Sequence, residues 1–233
     1  MLLTLASEVM AQDKKVEFQN KLNEYNLKNN VQITHINTTF EGIANAIREN
    51  IDDRDYEMHE ILDDYLNYCY ESGLIPVNDS WMFMRVQLAG TTIEFNKKEN
   101  IYYDKAERGF RPHDYLGLYN NKSVRVVGKV IARITAVLKD NEMQYDTELG
   151  ELTEERKQKI LMAIEDAKRY GYSIEETKHR YFFVDNFYET DFKKITPRAP
   201  MGSRIFNLTE ILGREDWKSS EEIAKRLSEK TWS

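Results

Sequence analysis

The sequence is poor in the residues that staple or punctuate a chain. Of its 233 residues one is cysteine, four are proline and ten are glycine. A single cysteine excludes an intramolecular disulfide, and Cys69, inside the apolar pattern YLNYCYESGL, reads as a buried thiol in a reducing compartment. Scarce proline and glycine leave little room for flexible linkers, so order is expected almost throughout. The four histidines, His35, His59, His113 and His179, lack metal-ligand spacing and none lies near the cysteine, which argues against zinc. No GxxxxGK(S/T), GxGxxG or GxSxG occurs, so a phosphate-binding loop, a dinucleotide fold and a hydrolase elbow lack their sequence evidence. No apolar run approaches the roughly 18 residues of a membrane span, and the start MLLTLASEVMAQDKK has no basic region ahead of its apolar stretch. A cytoplasmic protein with no membrane partner and no cofactor is the expectation.

What the chain does have is an ordinary globular balance, 41% hydrophobic and 31% charged, with its charge sorted along the sequence. Net charge is −7, which argues against indiscriminate adhesion to nucleic acid. Glu41 to Glu71, however, sets ten acids against Arg48 and Arg54, whereas Lys97 to Arg133 sets nine cations against four acids. The average conceals an acidic segment followed by a basic one.

Periodicity suggests two parts. LLTLAS, VEFQNKLNEYNL, VQITHIN and FEGIANAIRENI alternate strand and helix patterns, predicting β-α-β-α. DDRDYEMHEILDDYLNYCYESGLI then reads as one acidic connector helix, stopped by Gly73 and Pro76. From Trp81 the texture turns to strands: WMFMRVQL, TTIEFN, IYY, DYLGLYN, SVRVVGKVIARITAVL, HRYFFVDNFYETDF and RIFNL. One amphipathic helix, TEERKQKILMAIEDAKRYG, interrupts them, with Thr153 as its N-cap and Gly171 as its stop; a last helix, SSEEIAKRLSEK, is expected to start from Ser220. The predicted class is α+β, with an α/β segment over residues 1–76 and a β-rich domain over 77–233.

In a strand, residues two apart share a face, so Val124, Val126, Gly128, Val130, Ala132, Ile134, Ala136 and Leu138 form an apolar stripe on a long strand bent at Gly128. Arg125, Lys129 and Arg133 lie on the other face. With Arg111, His113 and Lys122 in the preceding segment they form a candidate phosphate-binding patch, and Tyr115 and Tyr119 offer rings on which a base could stack. A solvated barrel surface explains the same residues. A second arrangement lies in HRYFFVDNFYETDFKK, which as one strand places Asp185, Glu189, Asp191 and Lys193 on one face; with Glu94 opposite, Asp191-Phe192-Lys193 imitates the acid-x-Lys element of Mg²⁺-dependent nucleases. Asp185 and Asp191 would then lie about 20 Å apart on an extended strand, which counts against that chemistry.

YYDKAERGFRPHDYLGLYNNKSVRVVGKV, a helix, and HRYFFVDNFYETDFKKITPRAPMGSRIFNL together resemble a PUA-like β-pseudobarrel of the kind that includes EVE and ASCH domains, over about Trp81 to Gly213. The resemblance implies nucleic-acid binding, modified bases included. The amino-terminal segment is similar, more faintly, to the closing β-α-β-α of a restriction-endonuclease-like domain, which would place the nuclease motif upstream of Met1 in a larger nuclease-containing protein or partner and implies a restriction-like or antiviral setting in prokaryotes. Three readings stay open: a non-catalytic nucleic-acid or nucleotide-binding module, a metal-dependent nuclease, and a protein-interaction or assembly subunit.

Overall fold

The computed structural model describes residues 1–52, 55–76, 82–110, 112–139, 142–195, 200, 203–213 and 219–232, apart from the side chains at 56, 59, 60, 63, 67, 70 and 71. The chain forms two compact units, Met1–Asp79 and Ser80–Ser233.

The first unit runs β1 (Leu2–Ala6), α1 (Gln12–Asn29), β2 (His35–Thr39), α2 (Phe40–Asn50) and α3 (Tyr56–Glu71), the β-α-β-α order and helix expected. β1 and β2 pair in parallel as a two-stranded sheet, Leu3 opposite Ile36, and no later strand among the described residues joins them. α1 ends where Asn30 turns left-handed, and Phe18 from that helix lies 4.3 Å from the His35 ring. Thr39 caps α2 by accepting from the Gly42 amide. A small core of Ala44, Leu62, Leu66, Cys69 and Ile75 joins α2 to α3, with the cysteine fully buried. Leu3, Leu5 and Ile36 remain exposed on one face of the pair.

The second unit runs β3 (Phe83–Leu88), α4 (Ile93–Glu99), β4 (Ile101–Lys105), β5 (Tyr115–Asn120), β6 (Ser123–Lys139), β7 (Glu142–Leu149), α5 (Glu154–Arg169), β8 (His179–Val184), β9 (Tyr188–Lys194), β10 (Arg204–Asn207), α6 (Leu208–Leu212), α7 (Ser220–Leu227) and β11 (Thr231–Trp232). Helices and strands in comparable amounts among the described residues make the chain α+β. Among the described residues the larger sheet has nine strands and follows the open path β10-β3-β5-β6-β8-β4, with β7 and β9 added on β6 and β11 on β9. β6 organises it. Its first half pairs with β5 and β9 and its second half with β8 and β7, so one strand serves two sheet directions. The whole apolar stripe from Val124 to Ala136 is buried, as alternation requires. At the changeover sits Gly128, where a Cβ would come within 2.5 Å of the Asn186 carbonyl oxygen and 2.9 Å of Val184.

Three apolar clusters fill this unit. Met84, Val86, Val124, Phe192 and Trp232 pack under Leu208 of α6 and Ile223 and Leu227 of α7. Ile101, Ile134, Tyr181 and Phe183 pack under Ile160, Ala163, Ile164 and Ala167 of α5. Leu116, Leu118, Val126, Val130, Phe182 and Val184 form the third. Thr153 caps α5 by accepting from the Arg156 amide, and Gly171 (φ 82°) follows it, as the sequence suggests.

Several expectations are corrected. TTIEFN is not a strand: Ile93–Glu99 is α4, closed by Asn100 in the left-handed region, and the Asn96 amide is spent on the Ile101 carbonyl. HRYFFVDNFYETDF is not one strand but two, broken at Asp185-Asn186-Phe187. The cap of α7 is Ser219, accepting from the Glu222 amide, while Ser220 donates to Asp185 Oδ2 at 2.7 Å. β7, α6 and β11 have no counterpart in the sequence pattern, so the unit carries more than one inserted helix.

Gly128→Ala should destabilise the protein by about 2 kcal/mol or more, because the added methyl meets a backbone oxygen that cannot swing away. Chemical unfolding midpoints check this, and a variant as stable as the parent contradicts the close approach.

Candidate anion-binding interface

The β6 cations do not form one patch. Arg125 is turned into its own hairpin: Nε donates to the Asn120 carbonyl at 2.9 Å, Nη2 to the Asn121 carbonyl at 2.8 Å, and Nη1 pairs with Asp191 at 3.1 Å. The turn needs such a clamp, since Asn121 and Lys122 both adopt positive φ, 48° and 61°. Lys122 and Lys129 are exposed, and the Lys129 amide donates to Asp185 Oδ1. Tyr115 and Tyr119 are in the α6–α7 core, 7% and 5% exposed, and so present no ring face for a base; this corrects the stacking expectation. Arg111 lies outside the described residues.

Arg133 is where the geometry converges. Its guanidinium carbon stands 4.4 Å from the centre of the Phe110 ring, and those of Arg180 and Arg85 stand 4.7 Å and 5.5 Å from the same ring. Four guanidinium groups share two carboxylates. Glu148 takes Arg133 Nε at 2.9 Å and Arg180 Nε at 2.8 Å, and Asp104 takes Arg108 at 3.0 Å and Arg85 at 3.6 Å. Arg180 also donates to the Arg108 carbonyl, and Thr135 donates to Glu148 at 2.6 Å. His113 stands beside Phe110 and Phe182 at 5.5 Å and 5.6 Å.

The strands account for this placement. Met84 and Val86 point into the α6–α7 core, so Arg85 and Gln87 project from the opposite face of β3, beside Leu116 and Leu118 in register. With its amide turned so that the oxygen faces the guanidinium, Gln87 accepts from Arg85. Arg85 is only 4% exposed, Arg180 and Arg133 are 15% and 20% exposed along their side chains, and Arg108 reaches 51%. The cluster is graded from a buried floor to a wet rim. Burial pushes the Glu148 carboxyl up, but hydrogen bonds from Thr135 and Arg180 and the charges of Arg180 and Arg133 outweigh it, so its pKa lies below the usual glutamate range.

Chemically, the arrangement suits an anion. Arginine forks accept phosphate or carboxylate in fixed geometry, and a ring face among them offers about 0.5–2 kcal/mol per stacked cation. Holding four like charges this close is otherwise costly, and the two carboxylates balance half of them.

Of the nuclease alternative's residues, Asp191 and Lys193 come together, while Asp185 is engaged in a turn. Asp185 caps the β8–β9 turn, accepting from the Lys129 and Asn186 amides and from Ser220. Asp191 is paired with Arg125 and with Lys193 at 3.1 Å; a hydrogen bond from Ser123, with Lys193 and Arg125, holds its carboxyl low. Glu94 lies exposed on α4, lining a crevice of about 340 Å³ with Lys97, Asn121, Arg125 and Glu189, where Lys97 and Glu189 already pair at 2.9 Å. Among the described residues no three His, Cys, Asp or Glu side chains come together to hold a metal ion.

Sequence reasoning misses Arg85, Arg180, Asp104, Arg108, Phe110 and Glu148. A signal for the first two exists: each is the one arginine or lysine inside a mostly apolar strand, FMRVQL and HRYFFV.

No protein-family model and no curated protein matches this chain. Two solved structures of ASCH from Zymomonas mobilis bear a distant likeness to it. One, of a serine-to-alanine variant, is 13% identical over 58% of this chain and 84% of the other, with a TM-score of 0.26. The second is 11% identical over 64% of this chain and 98% of the other, with a TM-score of 0.28. No helix among the described residues is long and apolar enough to cross a membrane.

Two outcomes follow from this geometry. Arg125→Ala should lower stability by about 1–2 kcal/mol, since it removes charge-assisted hydrogen bonds from a left-handed turn; an unfolding midpoint equal to the parent's contradicts the clamp. Because Glu148 titrates lower in the folded chain, its stabilisation is present above its unfolded-state value and lost as pH falls through the folded one. Stability measured against pH should therefore fall less steeply below the ordinary glutamate range in Glu148→Gln than in the parent; parallel curves contradict this.

Proposed function

We propose that the Ser80–Ser233 unit is a non-catalytic nucleic-acid or nucleotide-binding module, built on a PUA-like pseudobarrel, whose phosphate contacts come from Arg133, Arg180 and Arg108. The observation that carries this reading is the gathering of the Arg133, Arg180 and Arg85 guanidinium groups around one phenyl ring, Phe110. A structural ion pair needs one cation per carboxylate; here each carboxylate is shared by two. His113 is half-buried beside Phe110, and exposed Lys122 and Lys129 add long-range attraction for a polyanion. Arg111, adjacent to Phe110 in sequence, joins the proposed contacts. A restriction-like or antiviral setting stays with the sequence resemblance that suggested it.

The test is fluorescence anisotropy with short single-stranded RNA and DNA across a salt series. Arg133→Ala and Arg180→Ala should each weaken binding about tenfold, roughly 1.4 kcal/mol, and reduce the salt slope by about 0.7 for each single-strand phosphate no longer neutralised. Arg169→Ala, on the exposed end of α5, should leave both unchanged. Absence of binding, or equal binding by all three variants, overturns the proposal.

A further inference from the structure

We propose that the ligand enters the arginine cluster through a phosphate group that takes the place of the Glu148 carboxylate between Arg133 and Arg180. The inference rests on the nucleic-acid-binding reading and names the chemical group that fills the site.

Glu148 is placed there by a backbone irregularity. Across β6 and β7, Arg133 pairs with Leu149 and Ile134 with Thr147, so Glu148 is an extra residue without a partner on the facing strand. Such a bulge re-aims a side chain that regular alternation would send elsewhere. The bulge is held from one side by Gly150 (φ 69°), whose missing Cβ would meet the Ile131 carbonyl oxygen at 2.7 Å. Three donors then converge on one carboxylate: Arg133 Nε, Arg180 Nε and the Thr135 hydroxyl, at 2.9, 2.8 and 2.6 Å. The free protein thus carries an anion of its own in the centre of the cluster.

The carboxylate is a weak occupant compared with a terminal phosphate, whereas an internal phosphodiester matches its charge and gains only from the rest of the strand it belongs to. The carboxylate brings one negative charge, whereas a phosphomonoester brings about 1.5 to 2 and three acceptor oxygens. Its exit does not require the fold to open, because β7 is an edge strand exposed along most of its length and the Glu148 side chain is itself 26% exposed. A rotation of that side chain toward solvent leaves the same three donors to the incoming oxygens. Asp104, which shares Arg85 and Arg108, stays behind at 9% exposure as the fixed counter-charge.

The experiment compares the parent with Glu148→Gln, which keeps the shape and removes the charge, and with Glu142→Gln, an equal neutralisation at the far end of β7. Probes are eight-nucleotide single strands with a 5′-phosphate or a 5′-hydroxyl, at low salt. Glu148→Gln should bind about tenfold tighter and Glu142→Gln as the parent. A gain confined to the phosphorylated strand supports displacement by a terminal phosphate, and an equal gain with both strands supports an internal one. Equal or weaker binding by Glu148→Gln, or an equal gain in Glu142→Gln, overturns the exchange while leaving the binding reading intact. Absence of binding by the parent and by Glu148→Gln instead removes the binding reading. Should Glu148→Gln fail to fold, the side-chain carboxyl ¹³C resonance of Glu148 in the parent decides: saturation with the phosphorylated strand should move it to the position of an exposed glutamate, and an unmoved resonance contradicts displacement.

Discussion

The second unit depends on β6 being able to pass against the Asn186 carbonyl at Gly128. A strand of 17 residues that stayed straight would extend one sheet; bending lets the first half hold β5 and β9 and the second half hold β8 and β7. Only a residue without a Cβ fits there, because a Cβ would come within 2.5 Å of that backbone oxygen. The three clusters that fill the unit all draw residues from β6, Val124 and Val127 in one, Ala132, Ile134 and Ala136 in another, Val126 and Val130 in the third.

The same strand carries Arg133 to the place where β3, β4 and β8 present Arg85, Asp104 and Arg180. These residues come from mostly apolar strands, and the arginines sit beside Phe110 and Phe182 rather than in open water. Burying a guanidinium costs several kcal/mol unless partners compensate, and Arg85 finds them in Asp104, Gln87 and two aromatic faces. An arginine at that depth stiffens the floor against which the more exposed Arg108, Arg133 and Arg180 are held. Affinity gains when charged donors are fixed before the ligand arrives, because binding then costs little side-chain freedom.

Much of this is readable from local pattern. Alternation locates β6 and its buried stripe, cap and stop residues locate α5, and the apolar context of Cys69 places it inside. Local pattern fails where short segments mimic another period. Ile93 and Phe95, two apart after two threonines, imitate a strand, and the helix is decided by its left-handed end at Asn100. Asp185-Asn186 reads through as strand, although both are turn residues, because apolar residues flank them on either side. β7 is polar and exposed, so no apolar period announces it. Lone cations in β3 and β8 hint at Arg85 and Arg180, but nothing local assembles the cluster: Arg85, Arg108, Arg133, Glu148 and Arg180 come from distant segments, and Arg125, grouped with Arg133 by spacing, is occupied by its own hairpin. Spacing identifies cations on one strand, whereas their direction depends on bulges and on neighbours.

The most direct measurement of the central claim is the position of a bound nucleic acid on the chain. Photo-crosslinking of single-stranded RNA carrying 4-thiouridine, followed by mass spectrometry of the peptides, reads that position without altering the cluster. The account predicts adducts on Phe110 or His113, competed away by excess unlabelled strand. Adducts confined to the Asn121–Lys122 turn, to the crevice beside Glu94 or to the Met1–Asp79 unit would contradict it.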